Sequence, residues 1–183
     1  MIKLFYSGTY RVRHEFINRN NVLEMLKDDL RSKIVGNVPS TVYASDGVIL
    51  ESNPNVMYVG GFYYEKENPG KSQCENIVYE ELRQIDKSDL VLCNLTKYSA
   101  IASVTELIYA SMQKKHIVVF CDPNITSYEV QGEYWFPILT CKEINPNLEV
   151  RFITSEDEII DYVNNLKEDE KEPGKVLKRG GLV

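Results

Sequence analysis

The chain reads as an α/β protein: a single-domain, doubly wound, mainly parallel sheet with helices on both faces, of flavodoxin or Rossmann type. Three observations predict this. "DLVLCNL" (Asp89 to Leu95) and "HIVVF" (His116 to Phe120) are near-continuous apolar runs, the pattern of strands covered on both faces. Around them lie segments whose apolar residues recur at helical spacing, so strands alternate with helices. The length of 183 residues, 43% of them hydrophobic, supports one well-buried domain and hardly two.

Each element follows in order. Ile2 to Tyr6 is a short apolar run ending at the turn Tyr6-Ser7-Gly8, a first strand. Glu15 to Arg31 carries Phe16, Val22, Leu23, Leu26 and Leu30, mostly at helical spacing. "STVYASDGVIL" sets Asp46-Gly47 between two β-prone runs, a hairpin signal. "NVMYVGGFYY" reads as a strand broken by Gly60-Gly61, and "EKENPGKSQCEN" as a surface loop or an insertion. A helix over Val78 to Lys87 has Val78, Leu82 and Ile85 on one stripe. Another, Thr105 to Lys114, turns Leu107, Ile108 and Ser111 or Met112 inward. "YWFPI" opens a less regular segment and "EVRFIT" is a last strand. Glu156 to Leu166 is a last helix with Ile159, Ile160 and Val163 inward. The domain therefore spans 1–166. Residues 167–183, "KEDEKEPGKVLKRGGLV", form a charged, mobile tail unable to bury a core.

Composition narrows the function classes. A net charge of -6 and a pI near 5.1 argue against a nucleic-acid polymer as partner, which favours a basic face. With no apolar run of about 18 residues, no transmembrane helix and no membrane partner are expected, and the opening "MIKLFYSGTY" lacks a signal-peptide layout. Cys74, Cys93, Cys121 and Cys141 are widely spaced without a C-x-x-C pair. Buried free thiols in a reducing, cytoplasmic setting fit them better than disulfides or zinc ligands. Two isolated histidines, His14 and His116, make no metal site. Nothing matches a P-loop or a G-x-G-x-x-G fingerprint, so neither metal nor cofactor is expected.

In a doubly wound sheet, ligands bind at the carboxyl ends of the strands. Three features converge there: Tyr6-Ser7-Gly8, Gly60-Gly61-Phe62-Tyr63, and the stretch from Asn94 to Glu106. Glu106 admits two readings. Ser103-Val104-Thr105-Glu106 fits the S-x-x-E capping box, in which serine caps the helix and glutamate returns to its amide, and an acid in the first turn suits the helix dipole. Alternatively, the carboxylate faces a ligand.

"IDKSDLVLCNL" followed by "TELIYASMQKKHIVVF" resembles the nucleoside 2-deoxyribosyltransferase family, which includes related nucleotide N-glycosidases. Glu106, Tyr109 and Ala110 match that family's Glu, Tyr and Ala on the helix after the central strand. "LFYSG", "YVGGFYYE" and "YEELRQIDKSD" resemble its earlier segments in the same order. The resemblance covers roughly Met1 to Asp122 and implies cleavage or exchange of an N-glycosidic bond by retaining double displacement. Glu106 would be the nucleophile, Tyr6 the hydroxyl that orients it, and Glu81 the proton donor to the leaving base. Ser7, Gly8, Gly60, Gly61 and Phe62 would surround the substrate, a small-molecule nucleoside or nucleotide. Ser99 or Ser103, with helix N-terminal amides, would hold a 5′-phosphate. The resemblance also implies a homo-oligomer in which a late segment reaches a neighbouring pocket, offering Tyr134 and Trp135 either that place or one in the core. Ala100 stands where the family has an aspartate that contacts the sugar. That departure motivates an alternative, a non-catalytic nucleotide-binding sensor on the same fold. Arg11 and Arg13 after the first loop read as solvated charges, or as contacts for a phosphate.

Overall fold

The computed structural model describes residues 1–22, 47–61, 71–126 and 132–168. Its elements are β1 (Ile2–Gly8), α1 (Tyr10–Arg19), β2 (Val48–Leu50), β3 (Asn53–Gly60), α2 (Lys71–Lys87), β4 (Leu90–Leu95), α3 (Ile101–Met112), β5 (His116–Cys121), α4 (Pro123–Thr126), α5 (Trp135–Ile144), β6 (Leu148–Phe152) and α6 (Asp157–Asn164). They build one six-stranded sheet in the order β2-β3-β1-β4-β5-β6. Every pairing is parallel except β2 with β3. This mixed, mostly parallel sheet with helices is consistent with a Rossmann-like α/β class.

Strand alternation assigns the two cores. Ile2, Leu4 and Tyr6 of β1 join Phe16 and Ile17 of α1 and Ile159 and Val163 of α6 in one cluster. Phe5, on the other face, joins Ile85 of α2, Leu107 and Ala110 of α3, and Ile138 and Cys141 of α5 in the second. All six residues of β4 and all six of β5 are buried, as their unbroken apolar runs require.

Several local expectations are corrected. A hairpin the sequence reading lacks joins β2 to β3 and turns at Glu51-Ser52, with Leu50 paired to Asn53, while the run before the expected Asp46-Gly47 turn lies outside the described residues. Lys71 to Asn76 belong to α2 and not to a loop. Val78 is 57% exposed, and the inner stripe of α2 is Glu81, Gln84 and Ile85, continued by Ser88 just past its end, with Leu82 packed at its side. α3 begins at Ile101, and its inward residues are Ser103, Glu106, Leu107, Ala110 and Ser111, while Ile108 and Met112 face outward. "YWFPI" opens α5; a proline in the first turn of a helix removes no intrahelical hydrogen bond. The expected helix beyond Val22, the turn residue Asp46, the loop 65–70, Phe62, Tyr63 and the tail beyond Glu168 lie outside the described residues. Cys93, Cys121 and Cys141 are buried free thiols. Among the described residues, no helix is long and apolar enough to cross a membrane.

Candidate active site

The chain runs from β1 through the β2-β3 hairpin on one side, then crosses to β4 on the other. The carboxyl ends of β1 and β4 are therefore the switch point, where an open α/β sheet leaves a crevice. There Ser7 pairs with Cys93 and Gly8 with Asn94. Ser7 follows Phe5 on the face covered by α2 and α3, whereas Tyr6 points to the opposite face.

Glu106 is the sixth residue of α3, in its second turn, and only 4% exposed. It caps nothing. The residue before the helix is Ala100, no side chain caps it, and Ser103 lies buried inside the first turn. The start of α3 is held by Tyr134, whose hydroxyl accepts from the Ala100 amide at 2.9 Å and donates to the Lys97 carbonyl at 2.6 Å. The capping-box reading is thus overturned: the carboxylate points into the sheet edge.

What receives it there is a charged cluster. The Ser7 hydroxyl donates to Glu106 Oε2. Arg13 Nη2 donates to Glu106 Oε1 at 3.0 Å and Oε2 at 3.2 Å, and Arg13 Nη1 donates to Glu81 Oε1 at 2.5 Å. Arg13 thereby bridges the two carboxyl groups of Glu81 and Glu106. Arg13 is 6% exposed because it shares the inward stripe of α1 with Val12, Phe16, Ile17 and Asn20. The solvated role expected for Arg13 is therefore corrected: it is the hub of the site.

The electrostatics follow from burial. Removal from water raises the Glu81 carboxyl from 4.5 to about 7; Arg13 opposes the rise and the neighbouring charge of Glu106 adds to it. Burial works against the Arg13 charge, yet Glu106 and Glu81 together keep its pKa above the ordinary value. Burial, with Glu106 adding to it, also raises the Cys93 thiol far beyond thiolate chemistry. The arrangement offers one carboxylate fixed by donors and one carboxylic acid able to give up a proton near neutrality, the division of roles that acid–base and nucleophilic catalysis need.

No protein-family model matches the chain, and no curated protein matches it.

The remaining sequence-predicted residues fall into place as follows. Tyr6 does not orient Glu106. Its ring stacks on Phe16 with centroids 4.1 Å apart, and its hydroxyl accepts from Asn94 Nδ2 at 2.9 Å. Burial raises the pKa of its hydroxyl well above the ordinary value. Gly8 closes β1. Gly60 and Gly61 permit close packing: a Cβ on Gly60 would lie 2.1 Å from Gln84 Oε1, and one on Gly61, at φ +78°, 1.8 Å from the Tyr6 carbonyl oxygen. Ser99 is exposed at φ 63°, with its amide 3.3 Å from both Glu133 carboxylate oxygens. The Ser103 hydroxyl is buried and has no hydrogen-bond partner among the described residues. Tyr134 is buried, Trp135 begins α5, and Tyr109 donates to Asp86 at 2.9 Å. His14 lies on α1 and His116 opens β5.

Sequence reasoning missed a second polar group on the other face. Asn94 Nδ2 donates to Glu156 Oε2 at 2.6 Å, and Thr96 Oγ1 lies 2.7 Å from Glu156 Oε1. The signal was available in "LVLCNL", where one asparagine interrupts a buried strand and therefore needs partners.

Proposed function

We propose that the chain cleaves or exchanges the N-glycosidic bond of a nucleoside or nucleotide, on a doubly wound, flavodoxin-like sheet. Glu106 is the nucleophile and Glu81 the acid. The observation that carries this reading is the pair of buried carboxyl groups bridged by one guanidinium, with Glu106 accepting from Ser7 and Arg13 and Glu81 pushed up to about 7. In the first step a Glu106 oxygen bonds to the anomeric carbon. The C–N bond breaks, its electron pair leaves with the base, and Glu81 supplies the proton to the base nitrogen. Water or a second base then attacks the same carbon and frees Glu106, while Glu81 takes back a proton; two inversions give retention. Ser7 takes the orienting place expected of Tyr6.

A second reading is favoured by a specific observation. Glu106 is 4% exposed and both its oxygens are engaged, and Ala100 stands where the resembling family has a sugar-contacting aspartate. A nucleotide-binding module without turnover would keep such a closed site. Incubation with a panel of nucleosides and 5′-monophosphates, with and without free adenine, separates the two. Free base on chromatography, declining above about pH 7 as Glu81 ionises, supports the enzyme. Calorimetric binding without free base supports the module.

A further inference from the structure

We propose that Arg13 is the positioning residue of this site, and that it makes the cluster hold one shared proton, leaving the negative charge on Glu106 and the hydrogen on Glu81. The mechanistic part of this inference rests on the reading above; the charge arrangement itself rests on geometry alone.

Three elements bring one cation and two carboxyl groups together. Arg13 comes from α1, Glu81 from α2 and Glu106 from α3, with side chains 8%, 14% and 6% exposed. With both acids ionised, the cluster would carry a net charge of −1 in surroundings that solvate it poorly. An uncompensated buried charge costs several kcal/mol, so the group retains a proton instead. The donors decide where that proton sits. Glu106 accepts from Ser7 and from Arg13 at both oxygens, whereas Glu81 accepts from Arg13 alone among the described residues. The anion is better stabilised on Glu106, and Glu81 keeps the proton. Among the described residues, the other titratable groups facing the cluster are Tyr6 on β1, Tyr58 on β3 and Cys93 on β4. Burial keeps all three neutral.

The arrangement serves both halves of a displacement. Before attack, Arg13 balances the Glu106 carboxylate. Once Glu106 is esterified by the sugar and Glu81 has given its proton to the base, the same guanidinium balances Glu81. The buried charge is neutral on either side of the step, and Arg13 need only shift its weight from Nη2 to Nη1. A lone carboxylate pair could not do this, because like charges at this distance oppose a second ionisation.

The test is carbon NMR of protein labelled at the glutamate side-chain carboxyl carbons, titrated from about pH 4 to 9. Glu81→Gln and Glu106→Gln assign the two signals. In the wild type, one of the two carboxyls, Glu81, is expected to titrate near pH 7. Arg13→Gln removes the cation, so the Glu81 midpoint should rise by about one pH unit or more. Arg13→Lys, which restores the charge, should return the Glu81 signal towards the wild-type pattern. A wild-type Glu81 midpoint below about pH 5 overturns the proposal, whether or not Arg13→Gln folds. An Arg13→Gln titration identical to wild type also overturns it. Base release is scored separately: a shared proton in a protein that releases no base from any substrate refutes the glycosidic reading and supports the charge arrangement.

Discussion

Replacing Glu81 by glutamine gives the site a permanent copy of its protonated state. The amide oxygen still accepts from Arg13, and the amide N–H still faces Glu106. Glu81 has its carboxyl raised from 4.5 to about 7, chiefly by burial, against the opposing effect of Arg13. The folded protein therefore binds this proton more tightly than the unfolded chain. The stability it contributes is full below about pH 4.5 and is lost as pH rises through about 7. At about 1.4 kcal/mol per decade of proton concentration, that span comes to on the order of 3 kcal/mol. The side chain is 14% exposed, so water screens little of it. For a domain of 183 residues the swing corresponds to roughly 6–12 °C in Tm. Urea unfolding of wild type and Glu81→Gln at about pH 5, 6, 7 and 8 measures it, because titrating groups outside the cluster cancel in the difference. The variant should gain on the wild type from about pH 5 to 7 and level off by about pH 8. Two parallel stability curves would refute the buried-acid argument.

Two further substitutions probe the packing that holds the site. Gly61→Ala should cost more than about 3 kcal/mol by urea unfolding, because φ is +78° and the new Cβ meets the Tyr6 carbonyl oxygen at 1.8 Å, a backbone atom that cannot swing aside; a loss below 1 kcal/mol would show a relaxed turn. Ser103→Ala should change stability by less than about 1 kcal/mol in either direction, since its buried hydroxyl has no partner to lose among the described residues. A loss above 2 kcal/mol would reveal one.

The central strands were legible because both of their faces are covered, so β4 and β5 stand out as apolar runs without a periodicity to decode. The site was legible only in part. Glu106, Glu81 and Ser7 were singled out and do meet. Tyr6 was assigned the work of its neighbour, because a local reading did not apply the two-residue period that sends Tyr6 to one face and Ser7 to the other. The S-x-x-E motif misled because α3 starts two residues before Ser103, and what fixes that start is Tyr134, distant in sequence. α2 was rotated in the reading because apolar spacing cannot find a stripe whose inward members are Glu81 and Gln84. Arg13 reads as a solvated charge or a phosphate contact only if its place is ignored: it stands one residue after Val12 and four before Ile17, on the buried face of α1. An arginine on such a stripe requires an anion close by, and that constraint was the sequence's clearest pointer to the cluster.

Glu106→Gln provides the most direct measurement. The glutamine keeps an oxygen for Ser7 and Arg13 to donate to but cannot form the sugar ester. Rapid quenching of the wild type with a releasing substrate should place a sugar mass on the peptide containing Glu106, and the variant should lose that adduct together with more than about a thousandfold of base release. Base release that persists in Glu106→Gln, or a sugar found on another residue, would contradict the account.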